Sequence, residues 1–145
     1  MNTPILPPSL EDYPELQRQE PPTDKELVLK VFPMPADTNH NGDIFGGWLM
    51  SQVDLAGGVL PMRLVKGKIA TVAVNEFIFK QPIKPGDLVS FFASVKRIGT
   101  TSVTVDVEVF VEKFRTQDGF RKVTEATLTY VAIDSDGKPK PIFQR

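Results

Sequence analysis

The clearest pattern in the chain is a run of alternating apolar and polar residues around position 107. Valines occupy every second position and short polar side chains lie between them: Val103, Val105, Val107, Val109 and Val111 alternate with Ser102, Thr104, Asp106 and Glu108. Because successive side chains of a β-strand point to opposite faces, this period predicts a strand with one buried face and one hydrated face.

Other segments share the β-branched and aromatic composition of strands and end at turn-forming residues. The full set of predicted strands is Leu27–Phe32, Thr71–Phe79, Leu88–Ile98, Thr101–Phe114 and Phe120–Ile133. Only Gly99–Thr100 and the hairpin signal Gln117–Asp118–Gly119 separate the last three, which predicts antiparallel neighbours joined by tight turns. At about 3.4 Å per residue these strands are longer than usual, so the sheet is expected to curve.

A helical pattern lies between the first two strands. It is expected to begin between Ile44 and Gly47, after a loop whose short oxygen-bearing side chains can cap its amides: Asp37, Asn39, Asn41 and Asp43. Two sets of residues then recur at three- and four-residue spacing: Leu49, Val53, Ala56, Leu60 and Leu64, and Trp48, Gln52, Leu55 and Val59. These sets predict a buried helix, apolar over most of its circumference, with a kink or an early end at Pro61.

These elements predict an α+β domain in which one long central helix is wrapped by a curved antiparallel sheet of about five strands. Residues 26–145 form this domain. Residues 1–25 contain six prolines among acidic residues and are expected to form a flexible arm. The edge strands of such a sheet favour pairing with a second copy, so a homodimer is expected.

Composition narrows the possible functions. At 145 residues with a net charge of −1, the chain has no basic run that would favour nucleic acid as a partner. It has no cysteine, which excludes disulfides, thiol nucleophiles and zinc-thiolate sites. No apolar run is long enough to span a membrane and no secretion signal is evident, so a cytoplasmic location is expected.

The candidate chemistry lies on one strip of the predicted helix. Gly47, Ser51, Asp54 and Gly58 follow one another at offsets of four, seven and eleven positions, which places them on one side of the axis. A carboxylate on an otherwise apolar helix is either a paired structural acid or a functional group. The adjacent Gly57 and Gly58 indicate that something comes close to the helix backbone, and a ligand or a partner chain could fill that place.

Two other readings of the loop before the helix are disfavoured. Asp37, Asn39, Asn41 and Gly42 imitate the start of a calcium-binding loop, but its twelfth position is Trp48 instead of a glutamate, so no metal is expected. His40 is the only histidine. Within one chain, a histidine-based catalytic triad could therefore be built only around this residue. Lying in a polar loop, His40 is expected to be solvated.

Two groups of residues are candidates for binding substrate. The Gly46–Gly47 pair at the helix start can present backbone amides to an oxyanion or a phosphate, although it can equally form a tight entry turn. A basic and hydroxyl-rich corner could hold phosphates or be merely solvated, and it consists of Lys96, Arg97, Thr100, Thr101 and Ser102.

The segments NGDIFGGW and SQVD, with GKIATVAV, FIFKQPIKPGD and GTTSV, closely resemble the YciA-type acyl-CoA thioesterases of the hot-dog fold. The resemblance extends from about Leu27 to Pro141. It implies hydrolysis of acyl-coenzyme A in a site shared by two protomers, with dimers often assembled as a trimer of dimers. Coenzyme A is then part of the substrate and no cofactor is implied.

The resemblance also implies roles for particular residues. Asp54 matches the catalytic helix aspartate, as general base or nucleophile, and Asn39 matches a loop asparagine contributed across the dimer. Gly46 and Gly47 fall where the thioester carbonyl meets the helix N-terminus, and Ser51 joins the substrate-binding set. Acyl chain length and regulation stay open, and the alternatives are a non-catalytic acyl-CoA sensor and a dehydratase or hydratase, the latter disfavoured by the single histidine.

Overall fold

The computed structural model describes residues 21–114 and 119–143. The strands are β1 (Glu26–Val31), β2 (Lys68–Phe79), β3 (Leu88–Ile98), β4 (Ser102–Lys113) and β5 (Gly119–Ile133), and one α-helix, α1 (Gly46–Leu64), lies between β1 and β2. A 3₁₀ turn, Pro35–Asp37, lies between β1 and the helix. Most of the predicted arm and the turn residues Gln117 and Asp118 lie outside the described residues.

All strand pairs are antiparallel, and the sheet order is β1-β3-β4-β5-β2. The predicted α+β arrangement and the five predicted strands are confirmed. The largest difference in bounds is that β2 begins at Lys68, three residues before the predicted Thr71. Pairing explains this extension, because Lys68 lies opposite Ile133 at the end of β5.

The core lies between α1 and the valine face of β4. All five alternating valines of this strand are buried, and Leu49, Val53 and Ala56 of the helix pack into the same cluster. The period of two in the sequence therefore predicted the buried face correctly.

The prediction that the helix is buried around most of its circumference is wrong. Met50, Leu55 and Met62 are exposed, and Leu55 retains 63% of its accessible surface. The sheet covers only one side of α1, and Leu55 and Met62 lie on the side turned away from it. The helix also continues past Pro61, which is buried, and ends three residues later at Leu64.

Apolar side chains are exposed both on one sheet edge and on the open side of the helix. Strand β2 is the longer of the two edge strands, and Val72 and Val74 on it are exposed. We call the surface formed by Leu55, Met62, Val72 and Val74 the β2 edge surface. An apolar patch beside unpaired backbone groups is typical of a protein interface.

Phe91 on β3 is fully buried. Its replacement therefore tests how much the core contributes to the free energy of unfolding. Replacing Phe91 with Ala should lower the free energy of unfolding by about 3–5 kcal/mol, because a large cavity is left in a packed core. Urea denaturation at a fixed protein concentration measures this change. The matched control is Phe32→Ala, at a side chain that is 54% exposed, with an expected loss of less than about 1 kcal/mol. Equal losses at the two positions would contradict the assignment of the core.

Candidate active site

Asp54 lies on α1 where the helix crosses β2 and β5. The hydroxyl of Thr71, on β2, donates a hydrogen bond of 2.7 Å to Oδ1 of Asp54. The hydroxyl of Tyr130, on β5, lies 2.8 Å from the Asp54 carbonyl oxygen and 3.2 Å from Oδ1, so its one hydrogen is shared between them. Thr71 and Tyr130 are direct partners in the sheet, and both side chains therefore rise from the same place toward the helix.

These contacts treat the two carboxylate oxygens of Asp54 differently. Oδ1 receives the hydroxyl groups of Thr71 and Tyr130, whereas Oδ2 accepts no hydrogen bond from the part of the chain that the structure describes. The residue is exposed in the single protomer. One oxygen is thus held by the protein and the other is open to a water molecule or a substrate.

Tyr130 is suited to remain a hydrogen-bond donor. Its side chain is buried, with 2% of its surface exposed. Burial raises the pKa of Tyr130 far above its ordinary value, and the neighbouring charge and hydrogen bond of Asp54 raise the pKa further. The phenol therefore keeps its proton at neutral pH.

The close approach to the helix backbone that Gly57 and Gly58 predicted is present, and it is made by Tyr130. A Cβ on Gly57 would overlap the Tyr130 hydroxyl, and a Cβ on Gly58 would lie 3.6 Å from the same ring. The close approach at Gly57 is therefore made by the chain's own tyrosine.

The N-terminus of α1 has no side-chain cap. Its N-cap residue is Phe45, and the first turn carries no acidic residue. The loop oxygens expected to cap it are used elsewhere, since Asn39 Oδ1 accepts hydrogen bonds from the backbone amides of Asn41 (2.9 Å) and Asp43 (3.2 Å). Among the described residues, the amides of Gly46 and Gly47 have no acceptor. They are therefore available to bind an anion, with the favourable direction of the helix dipole.

An apolar cavity of about 400 Å³ opens beside this helix end. The buried part of its wall is formed by Ile44, Leu49 and Ile83. Gly46 lines it at the start of the helix, and Phe79 lines it at the end of β2. A Cβ on Gly46 would lie 3.1 Å from the Phe79 ring, so the glycine allows the aromatic wall to pack against the helix start.

Within one protomer, the helix start and Asp54 are too far apart to act on one bond. Asp54 follows Gly46 by eight positions, which corresponds to about 12 Å of helix at about 1.5 Å per residue. An attacking oxygen and an oxyanion donor both need to lie about 3 Å from the atoms of one carbonyl group. The structure therefore brings Asp54 together with Thr71 and Tyr130, and not with Gly46, Gly47 or Asn39.

The other predicted substrate-binding residues lie outside this cluster. Ser51 is exposed, and its hydroxyl donates to the Trp48 carbonyl oxygen at 2.7 Å. Lys96 lines a cleft with Asp106 and Glu108, which alternate with the core valines and so face away from the helix.

The rest of the basic corner is at the β3–β4 turn. Arg97 and Thr100 are exposed, whereas Thr101 and Ser102 are partly buried. The backbone amide of Ile142 donates a hydrogen bond of 2.9 Å to the carbonyl oxygen of Thr100 in this turn. The role of these residues in binding coenzyme A stays a prediction.

His40 is exposed on the loop before the helix. The described residues contain no group of three or more His, Cys, Asp or Glu side chains placed to hold a metal ion. No helix within residues 21–114 and 119–143 is long and apolar enough to cross a membrane.

Sequence reasoning did not identify Thr71 or Tyr130 as site residues. Both were placed in predicted strands, but their proximity to Asp54 depends on the register between β2 and β5, two strands far apart in the sequence. The signal in the sequence was that Tyr130 alternates in step with the apolar residues Ala126, Leu128 and Ala132, because a phenol buried in this way needs a hydrogen-bond partner.

Comparison with known proteins identifies the family of this chain. Residues 41–116 match the model of the thioesterase superfamily. The acyl-CoA thioester hydrolase YciA of Salmonella typhimurium is 49% identical over 119 residues, which cover 81% of this chain and 90% of that protein. A hexameric hot-dog-fold thioesterase of Campylobacter jejuni is 39% identical and superposes with a TM-score of 0.79 over 84% of this chain and 93% of its own.

An acyl-CoA hydrolase of Staphylococcus aureus, solved with butyryl coenzyme A, coenzyme A and coenzyme A disulfide, is also similar. It is 31% identical, with a TM-score of 0.71 over 78% of this chain and 68% of its own. Structures of that hydrolase have also been solved with one asparagine or one aspartate replaced by alanine. The present chain therefore belongs to the thioesterase superfamily, has the hot-dog fold, and is a member of the YciA-type acyl-CoA thioester hydrolases.

Proposed function

We propose that this hydrolase cleaves the thioester of acyl-CoA with the open Oδ2 oxygen of Asp54. The observation that carries the proposal is the asymmetry of this carboxylate, since Thr71 and Tyr130 hold Oδ1 and leave Oδ2 exposed. As a general base, Oδ2 takes a proton from the water that attacks the carbonyl carbon. As a nucleophile, it attacks that carbon itself and forms an anhydride that water then opens.

Thioester chemistry fits a site with one carboxylate and no histidine. The tetrahedral intermediate carries its negative charge on the former carbonyl oxygen, where two helix-start amides stabilise it. When it collapses, the carbon–sulfur bond breaks and coenzyme A leaves as a thiolate. An alkyl thiol has a pKa of about 8.5, so the sulfur can leave without a strong general acid. The products are a free carboxylic acid and coenzyme A.

We infer that each active site is formed by two protomers. The helix start lies about 12 Å from Asp54 along α1, so the amides that meet the carbonyl come from a second copy. The β2 edge surface supports this inference, because it is apolar, it borders Asp54 and it includes unpaired strand edge. Pairing of this edge with the same edge of a partner buries it and brings the helices together. Three such dimers would form a hexamer like that of the Campylobacter jejuni thioesterase.

We propose that the acyl chain occupies the 400 Å³ cavity beside the helix start. Most of its wall is apolar, formed by Ile44, Leu49, Phe79, Pro82 and Ile83, which favours a hydrocarbon chain, while Lys80 and Gln81 add a polar part. It also adjoins Gly46, so a chain lying in it has its carbonyl end near the amides that stabilise the oxyanion.

Replacing Asp54 with Asn should lower kcat by about 10²–10⁴-fold, because the change keeps the size of the side chain and removes the basic oxygen. Release of free thiol from acyl-CoA measures the rate. The matched control is Asp136→Asn, at an exposed turn after β5, which should keep wild-type turnover. Undiminished turnover in the Asp54 variant would remove the basis of the proposal.

Mixing two inactive variants tests the shared site. If Asp54 and Asn39 act from different protomers, a mixed dimer of Asp54→Asn and Asn39→Ala chains has one intact site. Random exchange of subunits should therefore restore about a quarter of wild-type activity, since about half of the dimers are mixed and each has one working site of two. Each variant taken alone through the same exchange is the control. Mixed dimers that form and stay inactive would show that both residues act within one chain.

Phe79 tests the location of the acyl chain. Replacing Phe79 with Ala removes part of the cavity wall, so the ratio of kcat/KM for long to short acyl-CoA substrates should rise by about tenfold. A panel of saturated acyl-CoA substrates measures the ratio. Phe32→Ala is the control, because Phe32 has the same 54% exposure and lies outside the cavity. An unchanged ratio would place the acyl chain elsewhere.

A further inference from the structure

Tyr130 is buried at the centre of the contacts around Asp54. Its hydroxyl bonds to the main chain of Asp54, through the carbonyl oxygen at 2.8 Å, and also approaches Oδ1 of the side chain at 3.2 Å. Contact with both parts of one residue restricts rotation of the carboxylate about its side-chain bonds. Thr71 alone cannot do this, because its hydroxyl bonds only to Oδ1 among the described residues.

Gly57 provides the space that the Tyr130 hydroxyl needs. A methyl group at position 57 would overlap this hydroxyl, whereas it would meet the ring atoms Cζ and Cε2 at 3.3 and 3.4 Å. Glycine destabilises the interior of a helix relative to alanine. The obstacle to alanine at this position is therefore mainly one oxygen atom, the atom that contacts Asp54.

We propose that Tyr130 is a positioning residue for the hydrolysis reaction, and that Gly57 exists to admit its hydroxyl. Tyr130 holds Asp54 so that Oδ2 points out of the helix–sheet junction toward the substrate, while Oδ1 stays bound. This proposal rests on the role of Asp54 given above. Tyr130 does not touch the reacting atoms and acts only through the orientation of the carboxylate.

The same contacts determine the expected kinetic effect. Without the phenol, the carboxylate keeps its charge and its bond to Thr71, but it can turn away from the reacting carbon. A misplacement of about 1 Å is enough to slow a reaction by about a hundredfold. Substrate binding does not involve Tyr130, since its side chain is 2% exposed. Loss of the hydroxyl should therefore lower kcat and leave KM unchanged.

The test is a double-mutant cycle with Tyr130→Phe and Gly57→Ala. Tyr130→Phe should lower kcat by about 10- to 100-fold at constant KM. Gly57→Ala should lower kcat to a similar extent, because its methyl displaces the hydroxyl. In the double variant the clash with oxygen is absent, so kcat should be no lower than in Tyr130→Phe alone. Independent effects that multiply in the double variant would overturn the pairing of these two residues.

Two further variants separate positioning from general stability. Thr124→Val on the same strand removes another buried hydroxyl, which has no hydrogen-bond partner within residues 21–114 and 119–143 and does not bond to Asp54. This variant should keep wild-type kcat. Adding Tyr130→Phe to Asp54→Asn should lower the residual kcat no further, because the residue acts only through the carboxylate. A further drop in that background would indicate a structural role and overturn the proposal.

The outcomes also distinguish this proposal from the function on which it rests. If Asp54→Asn abolishes turnover while Tyr130→Phe retains wild-type kcat, the positioning role is wrong and the role of Asp54 stands. If Asp54→Asn itself retains turnover, the proposed function fails first.

Discussion

The pairing of β2 with β5 determines the chemistry of this protein. This register sets Thr71 opposite Tyr130 and directs both hydroxyl groups at one oxygen of Asp54. A shift of β2 by one residue against β5 would turn the Thr71 side chain to the other face of the sheet and remove its hydrogen bond to the carboxylate. The buried valines of β4, which pair with β5, help to prevent such a shift. The hydrophobic core and the reactive group are thus fixed by the same strand pairing.

The open side of helix α1 carries the parts of the site that the proposed dimer brings together. Helix α1 packs on the sheet through one face only, and Asp54 lies at the boundary between that face and the β2 edge surface. The uncapped helix start lies more than two turns away on the same helix. In the proposed dimer these separated parts are complementary, since each protomer supplies a carboxylate to one site and two amides to the other. Association then completes the active site as well as burying apolar surface.

Much of the fold could be predicted from the sequence, but only part of the site. The alternating valines gave the buried face of β4, and the helix start at Gly46 fell within the predicted range, because both depend on local patterns. Asp54 was found as a carboxylate on a largely apolar helix. Thr71 and Tyr130 were not, because their role depends on long-range register. The exposure of Leu55 was missed for a related reason, since periodicity cannot show which apolar face meets the chain's own sheet and which meets a partner.

The central claim is that Oδ2 of Asp54 attacks, directly or through water, a carbonyl whose oxygen is held by a second protomer. A crystal structure with a non-hydrolysable ketone analogue of acyl-CoA, in which a methylene separates the sulfur from the carbonyl carbon, tests it most directly. The account predicts the reacting carbon within about 3.5 Å of Oδ2, or one water molecule away, and its oxygen about 3 Å from the amides of Gly46 and Gly47 of the partner. An analogue whose carbonyl lies away from Asp54, or is held by amides of the same protomer, would contradict it.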